Sequence, residues 1–198
     1  MKIYLIRHGE TDWNLWGRVQ GREDILLNET GRKQAKKCAD ALEKSGAKII
    51  VSSPLARAVE TADILSGSLN NAKVIIDEAL IERDFGDLSG MTYDRRKYFD
   101  SFGHNEETVE PIDKLSKRLM DCIQKYAVEY CNQDIIMVSH GAAINSVIMV
   151  LSEGQEGSGK TRLKNACISL LTYEDNKLQL GQFNLSPEEF IAGKFNLK

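Results

Sequence analysis

The chain predicts an α/β fold, with three layers (α/β/α), a mainly parallel central sheet and one antiparallel edge strand. Two observations carry this. Short, continuous β-branched runs alternate with longer segments whose apolar residues recur at helical spacing. Near the C-terminus, Ala166–Tyr173 and Lys177–Phe183 flank the turn residues Glu174-Asp175-Asn176, which signals a hairpin.

The strand candidates are Ile3–Ile6, Lys48-Ile49-Ile50-Val51, Val74-Ile75-Ile76 and Ile135-Ile136-Met137-Val138. Uninterrupted apolar runs of this length read as strands buried on both faces, as in parallel sheets. Between the first two lies a helix from about Thr30 to Ser45, with Ala35, Cys38, Ala39 and Leu42 on one face and Gly46 as a stop. A second helix covers roughly Leu55 to Leu69, with Ala58, Val59, Ala62 and Leu65 on one side. A third runs from about Pro111 to Tyr130, its stripe being Leu115, Leu119, Cys122, Ile123, Tyr126 and Tyr130, and Pro111 suits the first helical turn. A fourth follows Gly141. Ser186-Pro187-Glu188-Glu189 reads as the capped start of a short last helix. The polar stretch Ser101–Pro111 reads as a loop.

The length of 198 residues suits one domain over 1–198 with a well-developed core. A net charge of −3 leaves no broad basic surface for nucleic acid or anionic lipid, so a bound anion must meet a local positive cluster. The four cysteines show no C-x-x-C spacing, which argues against zinc and thioredoxin-like chemistry. The N-terminal apolar run is too short for a signal peptide, and no stretch reaches the length of a membrane span. The expectation is a cytoplasmic protein with reduced thiols. Oligomeric state is open, a homodimer among the options.

Three of the strand candidates end in polar clusters. The first ends Arg7-His8-Gly9-Glu10, the second Ser52-Ser53-Pro54 with Arg57 just beyond, and the fourth Ser139-His140-Gly141. In a parallel sheet the carboxyl ends share one edge, where ligands bind. Arg7, His8, Arg57 and His140 are therefore expected to converge. Paired arginines suit the oxygens of a dianion, and their field keeps a nearby imidazole neutral and nucleophilic. A lone His-Gly at a strand end is ordinarily a turn. Two of them, with two arginines, point to a phosphate site.

Beyond these residues, Leu5-Ile6-Arg7-His8-Gly9-Glu10-Thr11-Asp12-Trp13-Asn14 resembles the opening signature of the histidine phosphatase superfamily, the phosphoglycerate mutase-like family. Gln20-Gly21, Asp24, Leu27, Gly31 and Gln34-Ala35 resemble its next segment. Ser52–Ala58 with Thr61-Ala62, then Leu80-Ile81-Glu82-Arg83 with Gly86 and Gly90, then Val138–Gly141, follow in the family's order. The resemblance covers nearly the whole chain. It implies His8 as the phosphorylated nucleophile and Glu82 as proton donor to the leaving alcohol. Arg7, Arg57 and His140 would hold the phosphoryl oxygens, Asn14 would bind phosphate, Gln20 and Gly21 would line the mouth, and Gly141 would complete the site. A placed acid is worth about 10² to 10⁴ fold for a poor alkoxide leaving group. No metal and no cofactor are implied, because arginines and histidines supply the charge that Mg²⁺ gives elsewhere.

The chain also departs from the family's mutases. Arg95-Arg96 follow Glu82 too closely to be the mutases' paired arginines, and no proline run appears. Asp84-Phe85 stand where mutases carry His-Tyr. The sequence thus favours a phosphatase acting on a small phosphomonoester, with a bisphosphoglycerate-dependent mutase and a non-catalytic phospholigand-binding module as the alternatives. Glu110-Pro111 stands where phosphatase members often have Glu-Ser or Glu-Thr.

One motif competes. Gly154–Thr161 satisfies G-x-x-x-x-G-K-[ST], the phosphate loop of nucleotide-binding proteins. The run before it follows His140-Gly141 without a turn, and little chain remains after it. It reads instead as a flexible glycine-rich surface loop. His104 receives no role. Trp13 and Trp16 are assigned to local packing, with shaping of the site entrance as the alternative, and Lys36-Lys37 and Arg95-Arg96 to solvated faces.

Overall fold

The computed structural model describes residues 1–92 and 108–193. Six strands form one sheet in the order β3-β2-β4-β1-β5-β6. They are β1 (Lys2–Arg7), β2 (Ile49–Ser52), β3 (Lys73–Ile76), β4 (Ile135–Ser139), β5 (Ile168–Glu174) and β6 (Lys177–Leu180). The pairs β1–β4, β2–β4 and β2–β3 are parallel. The pairs β1–β5 and β5–β6 are antiparallel, so the antiparallel edge comprises two strands, both supplied by the hairpin region.

The helices are α1 (Asp12–Leu15), α2 (Glu29–Leu42), α3 (Ala56–Ser68), α4 (Ile112–Glu129), α5 (Gly141–Leu151) and α6 (Pro187–Ile191). They lie on both faces of the sheet, and the alternation of side chains along β1 shows how. Ile3 and Leu5 join a core with Leu115, Leu119 and Ile123 of α4 and Ile144 and Val147 of α5. Tyr4 and Ile6 point the other way, into a core with Cys38, Ala39 and Leu42 of α2 and Ala58, Ala62 and Leu65 of α3. That is the period-two geometry of a strand serving two layers, and burying each large aliphatic side chain is worth about 1.5–3 kcal/mol.

Details differ from the sequence expectation. The third apolar run is not doubly buried. β3 is an edge strand with an exposed-to-intermediate pattern, because among the described residues no strand pairs on its outer side. The helix expected to reach Ser45 ends at Leu42, and a 3₁₀ turn over Glu43–Ser45 leads to Gly46 at φ 70°. Pro111 is the N-cap of α4 rather than part of its first turn, with ψ 143°. At the last helix the expectation holds: Ser186 and Glu189 form a capping box around Pro187. Most of the predicted loop Ser101–Pro111, with His104 and Arg95-Arg96, lies outside the described residues. Cys38, Cys122 and Cys167 are buried free thiols and Cys131 is exposed. Among the described residues no helix is long and apolar enough to cross a membrane.

Gly9 and Gly31 explain how α2 approaches the end of β1. A Cβ on Gly9 would fall 2.4 Å from the Gly31 carbonyl oxygen, and one on Gly31 would fall 2.1 Å from that of Glu10. Only two glycines allow this backbone-to-backbone contact.

Candidate active site

The carboxyl ends of β2, β4 and β1 are neighbours, and the ladder continues one step past them. The His8 amide donates to the Ser139 carbonyl at 3.0 Å, and the Ser53 amide to that of Val138 at 3.0 Å. This registers His8, Ser53 and His140 side by side. The His8 and His140 ring centroids are 5.2 Å apart, tilted by 54°.

His8 Nδ1 lies 2.6 Å from the carbonyl oxygen of Gly9. A carbonyl only accepts, so the contact requires the proton on Nδ1 and leaves the Nε2 lone pair free. Burial, then the charges of Arg57 and Arg7, hold the His8 pKa well below the ordinary histidine value, against the opposing Gly9 bond. His140 is also pushed well below that value, by burial and then by Arg57, His8 and Arg7. Its Nε2 lies 2.7 Å from Ser53 Oγ.

Arg57 is fully buried. Its Nη1 donates to the Glu23 carbonyl at 2.6 Å and its Nη2 to that of Gly21 at 2.8 Å. Burial lowers its pKa to about 10, which still leaves it charged at neutral pH. Arg7 donates to the Leu163 carbonyl at 2.5 Å. Among the described residues the buried Nε of each arginine has no hydrogen-bond partner, nor has His140 Nδ1. Buried donors of this kind need acceptors, and a phosphoryl group offers them.

α3 and α5 both begin at this edge with no side-chain cap of their own. Carboxylates from elsewhere stand in. Asp24 accepts from the Ala56 amide at 2.7 Å. Glu82 accepts from the amides of Ala143 (2.9 Å), Ala142 (3.1 Å) and Arg83 (2.9 Å). Glu82 is 8% exposed and faces a cavity of about 670 Å³.

That cavity gathers Arg7, His8, Asn14, Gln20, Gly21, Arg57, Glu82 and Gly141, eight of the nine residues singled out from the sequence. His140 is not on its wall; it lies fully buried with its ring beside His8. Asn14 Oδ1 accepts from the Thr11 amide (3.1 Å), Thr11 Oγ1 (3.2 Å) and Asn165 Nδ2 (3.1 Å), which pins the side chain. Gly21 sits at φ 52°, and that left-handed turn presents its carbonyl to Arg57.

Several site residues were not visible in the sequence. Ser53 belongs to the second cluster, but only its bond to His140 gives it a task. The far wall is built by Thr161 to Asn165, within and just after the competing glycine motif. That motif lacks the setting of a phosphate loop, which joins a strand to a helix: here it follows helix α5, and strand β5 is the next element after it. It is a surface loop, with Gly154, Gln155, Glu156, Gly159 and Lys160 exposed, and it is bonded within itself. Lys160 turns back onto the Gly154 carbonyl, and Thr161 Oγ1 donates to Glu156 Oε2 at 2.9 Å. Gly157 packs so tightly that a Cβ would meet the Asn145 carbonyl oxygen at 2.3 Å. Thr161, at the start of the far wall, is held by Glu156 and by the Gly157 amide, which donates to Thr161 Oγ1 at 3.0 Å. Trp13 packs near Gly90 and Arg18, while Trp16 is 59% exposed.

The profile of the histidine phosphatase superfamily, branch 1, matches residues 3–186. The chain belongs to this family. It is a phosphoric monoester hydrolase of the phosphoglycerate mutase-like type, and its relatives agree. The phosphatase PhoE of Bacillus subtilis is 39% identical over 186 residues, covering 93% of this chain and 94% of the relative. A metal-independent phosphoserine phosphatase of Arabidopsis thaliana is 30% identical, covering 89% and 78%. The phosphoserine phosphatase of Entamoeba histolytica, solved with 3-phosphoglyceric acid, superposes with a TM-score of 0.81 at 32% identity, covering 96% of this chain and 98% of that one.

Proposed function

We propose that this hydrolase releases phosphate from a small phosphomonoester through a phosphohistidine at His8, without a metal. His8 Nε2 attacks phosphorus, the bond to the ester oxygen breaks, and Glu82 gives that oxygen its proton. Water then attacks phosphorus while Glu82 takes a proton from it, the phosphorus–nitrogen bond breaks and returns its electron pair to His8 Nε2, and inorganic phosphate leaves. The observation that carries the reading is the Nδ1 bond to the Gly9 carbonyl. It leaves Nε2 bare beside two arginines whose buried Nε–H groups lack acceptors. Arg7 and Arg57 take the three phosphoryl oxygens, where charge spreads in the transition state. Asn14, Gln20, Gly21 and Gly141 shape the mouth around them.

The outer wall adds Arg18, Arg162 and Lys164 to the cavity, while Glu82 is its one carboxylate among the described residues. This favours substrates with a second anionic group beside the phosphate. The names of two relatives support that direction, one a phosphoserine phosphatase and one bound to 3-phosphoglyceric acid. The test is a phosphate-release screen over phosphorylated metabolites, paired so that each carboxylate-bearing ester has an uncharged counterpart. A rapid alkaline quench should trap a phosphoenzyme that acid treatment then destroys. His8→Ala should abolish turnover and trapping while the protein stays folded. Parent-rate hydrolysis by His8→Ala would remove the nucleophile assignment. Transfer of the phosphoryl group to a second substrate hydroxyl, without phosphate release, would mark a mutase.

A further inference from the structure

We propose that Arg118, oriented by Glu110, is a positioning residue that sets Glu82 against the phosphoryl site. The proposal rests on the proton-donor reading of Glu82. Glu82 lies in no strand or α-helix. It lies in an irregular stretch between 3₁₀ turns at Glu78–Leu80 and Gly86–Leu88. Such a segment has no ladder to satisfy its buried carbonyls, so another group must supply donors.

Arg118 supplies them. Its Nη1 donates to the carbonyls of Ala79 (2.8 Å) and Ile81 (2.7 Å), and its Nη2 to that of Glu82 itself (3.0 Å). It projects from the middle of α4, an 18-residue helix packed on the sheet core. The remaining edge of the guanidinium meets Glu110 in a bidentate pair, Nε to Oε1 at 2.8 Å and Nη2 to Oε2 at 2.9 Å. The Glu110 side chain is 4% exposed and that of Arg118 19%. Burial would raise the Glu110 pKa, but Arg118 outweighs it and keeps the carboxyl ionised.

The same network reaches the phosphate clamp. Arg22 donates to Glu110 Oε2 and to the Glu82 carbonyl, each at 3.4 Å. Arg22 follows Gly21, whose carbonyl seats Arg57. The loop that holds Arg57 and the loop that carries Glu82 are thus tied through one partly buried ion pair to one rigid helix. An apolar pair could fill this volume at similar stability, but it could not donate to three carbonyls. Lysine offers a point charge without the planar fork. The arrangement therefore fixes geometry, and a displacement of about 1 Å in a reacting group can cost about 10²-fold in rate.

The experiment compares Arg118→Lys and Glu110→Gln in the full-length protein, with kcat and KM measured on an alkyl phosphate and on p-nitrophenyl phosphate. Both variants are also made in a Glu82→Gln background, and thermal melting identifies folded protein. An alkoxide needs the acid and nitrophenolate does not. Arg118→Lys should lower kcat on the alkyl ester by about 10²-fold, leave KM close to the parent value, and affect the phenyl ester far less. In the Glu82→Gln background it should add almost nothing. Equal losses on both esters, or full additivity with Glu82→Gln, would overturn the proposal. If Arg118→Lys does not fold, Glu110→Gln carries the same expectations. If Glu82→Gln itself fails to discriminate the two esters, the proton-donor reading is what falls, and the positioning role with it. If Glu82→Gln discriminates and the clamp variants do not, the positioning role falls alone.

Discussion

Acidification should destabilise this fold before any ordinary carboxylate titrates, and two histidines set the size of the effect. His8 and His140 are buried, and both have pKa values well below the usual one. In the unfolded chain each returns to about 6.5. The folded state thus favours the neutral form. The stability tied to each histidine is fully present above pH 6.5, is lost as the pH falls below it, and stops falling only at the folded pKa. At about pH 5.5 the unfolded chain gains about 1.4 kcal/mol per histidine, about 3 kcal/mol for the pair. That is a large part of a typical stability of about 5–15 kcal/mol. Asp77 and Glu110 are held below the ordinary carboxylate range and stay ionised in this window. The assay is urea unfolding at three pH values between about 5.5 and 7.5, on the parent and on His8→Asn. The variant should lose about 1.4 kcal/mol less over that range, or somewhat more than that difference, because removing His8 also relieves part of the shift on His140; groups remote from both histidines cancel. Identical pH slopes would mean that His8 titrates freely in the fold, and the argument for a bare nucleophile would lose its electrostatic basis. The acid limb of kcat/KM should likewise lie well below pH 6.5.

Two further outcomes follow from packing. Gly31→Ala places a methyl 2.1 Å from the Glu10 carbonyl oxygen, so α2 must move from the His8 loop; a loss of about 1–3 kcal/mol or more is expected, and an unchanged melting temperature would contradict the close approach. Lys160→Ala should leave phosphate release unaltered, because Lys160 bonds only within its own loop among the described contacts; ATP binding that depends on Lys160 would reinstate the phosphate-loop reading.

Much of the fold and the core of the site were legible in the sequence. β1, β2 and β4 announce themselves because burial on both faces demands unbroken apolar runs, and that demand is local. The helices of the two outer layers show in their periodicity. Arg7, His8, Arg57 and His140 could be placed together because parallel strands must end on one edge. β3 departs from the expectation because Val74-Ile75-Ile76 carries the same local signal whether or not a strand covers its outer side. Position in the sheet order is a property of the assembled fold.

The support of the site was decided by tertiary structure alone. Asp24 caps a helix 32 residues away, and Glu82 caps one 60 and 61 residues away. Arg118 reaches back 36 to 39 residues to hold the chain that carries Glu82. A glutamate before an irregular stretch and an arginine on a helix are individually ordinary. What sets them apart is a buried carbonyl or amide that only a distant side chain can satisfy. Hydrophobic period is written into neighbouring residues and survives in the sequence. Hydrogen-bond satisfaction in irregular backbone is settled only when the layers close, so it leaves no local trace.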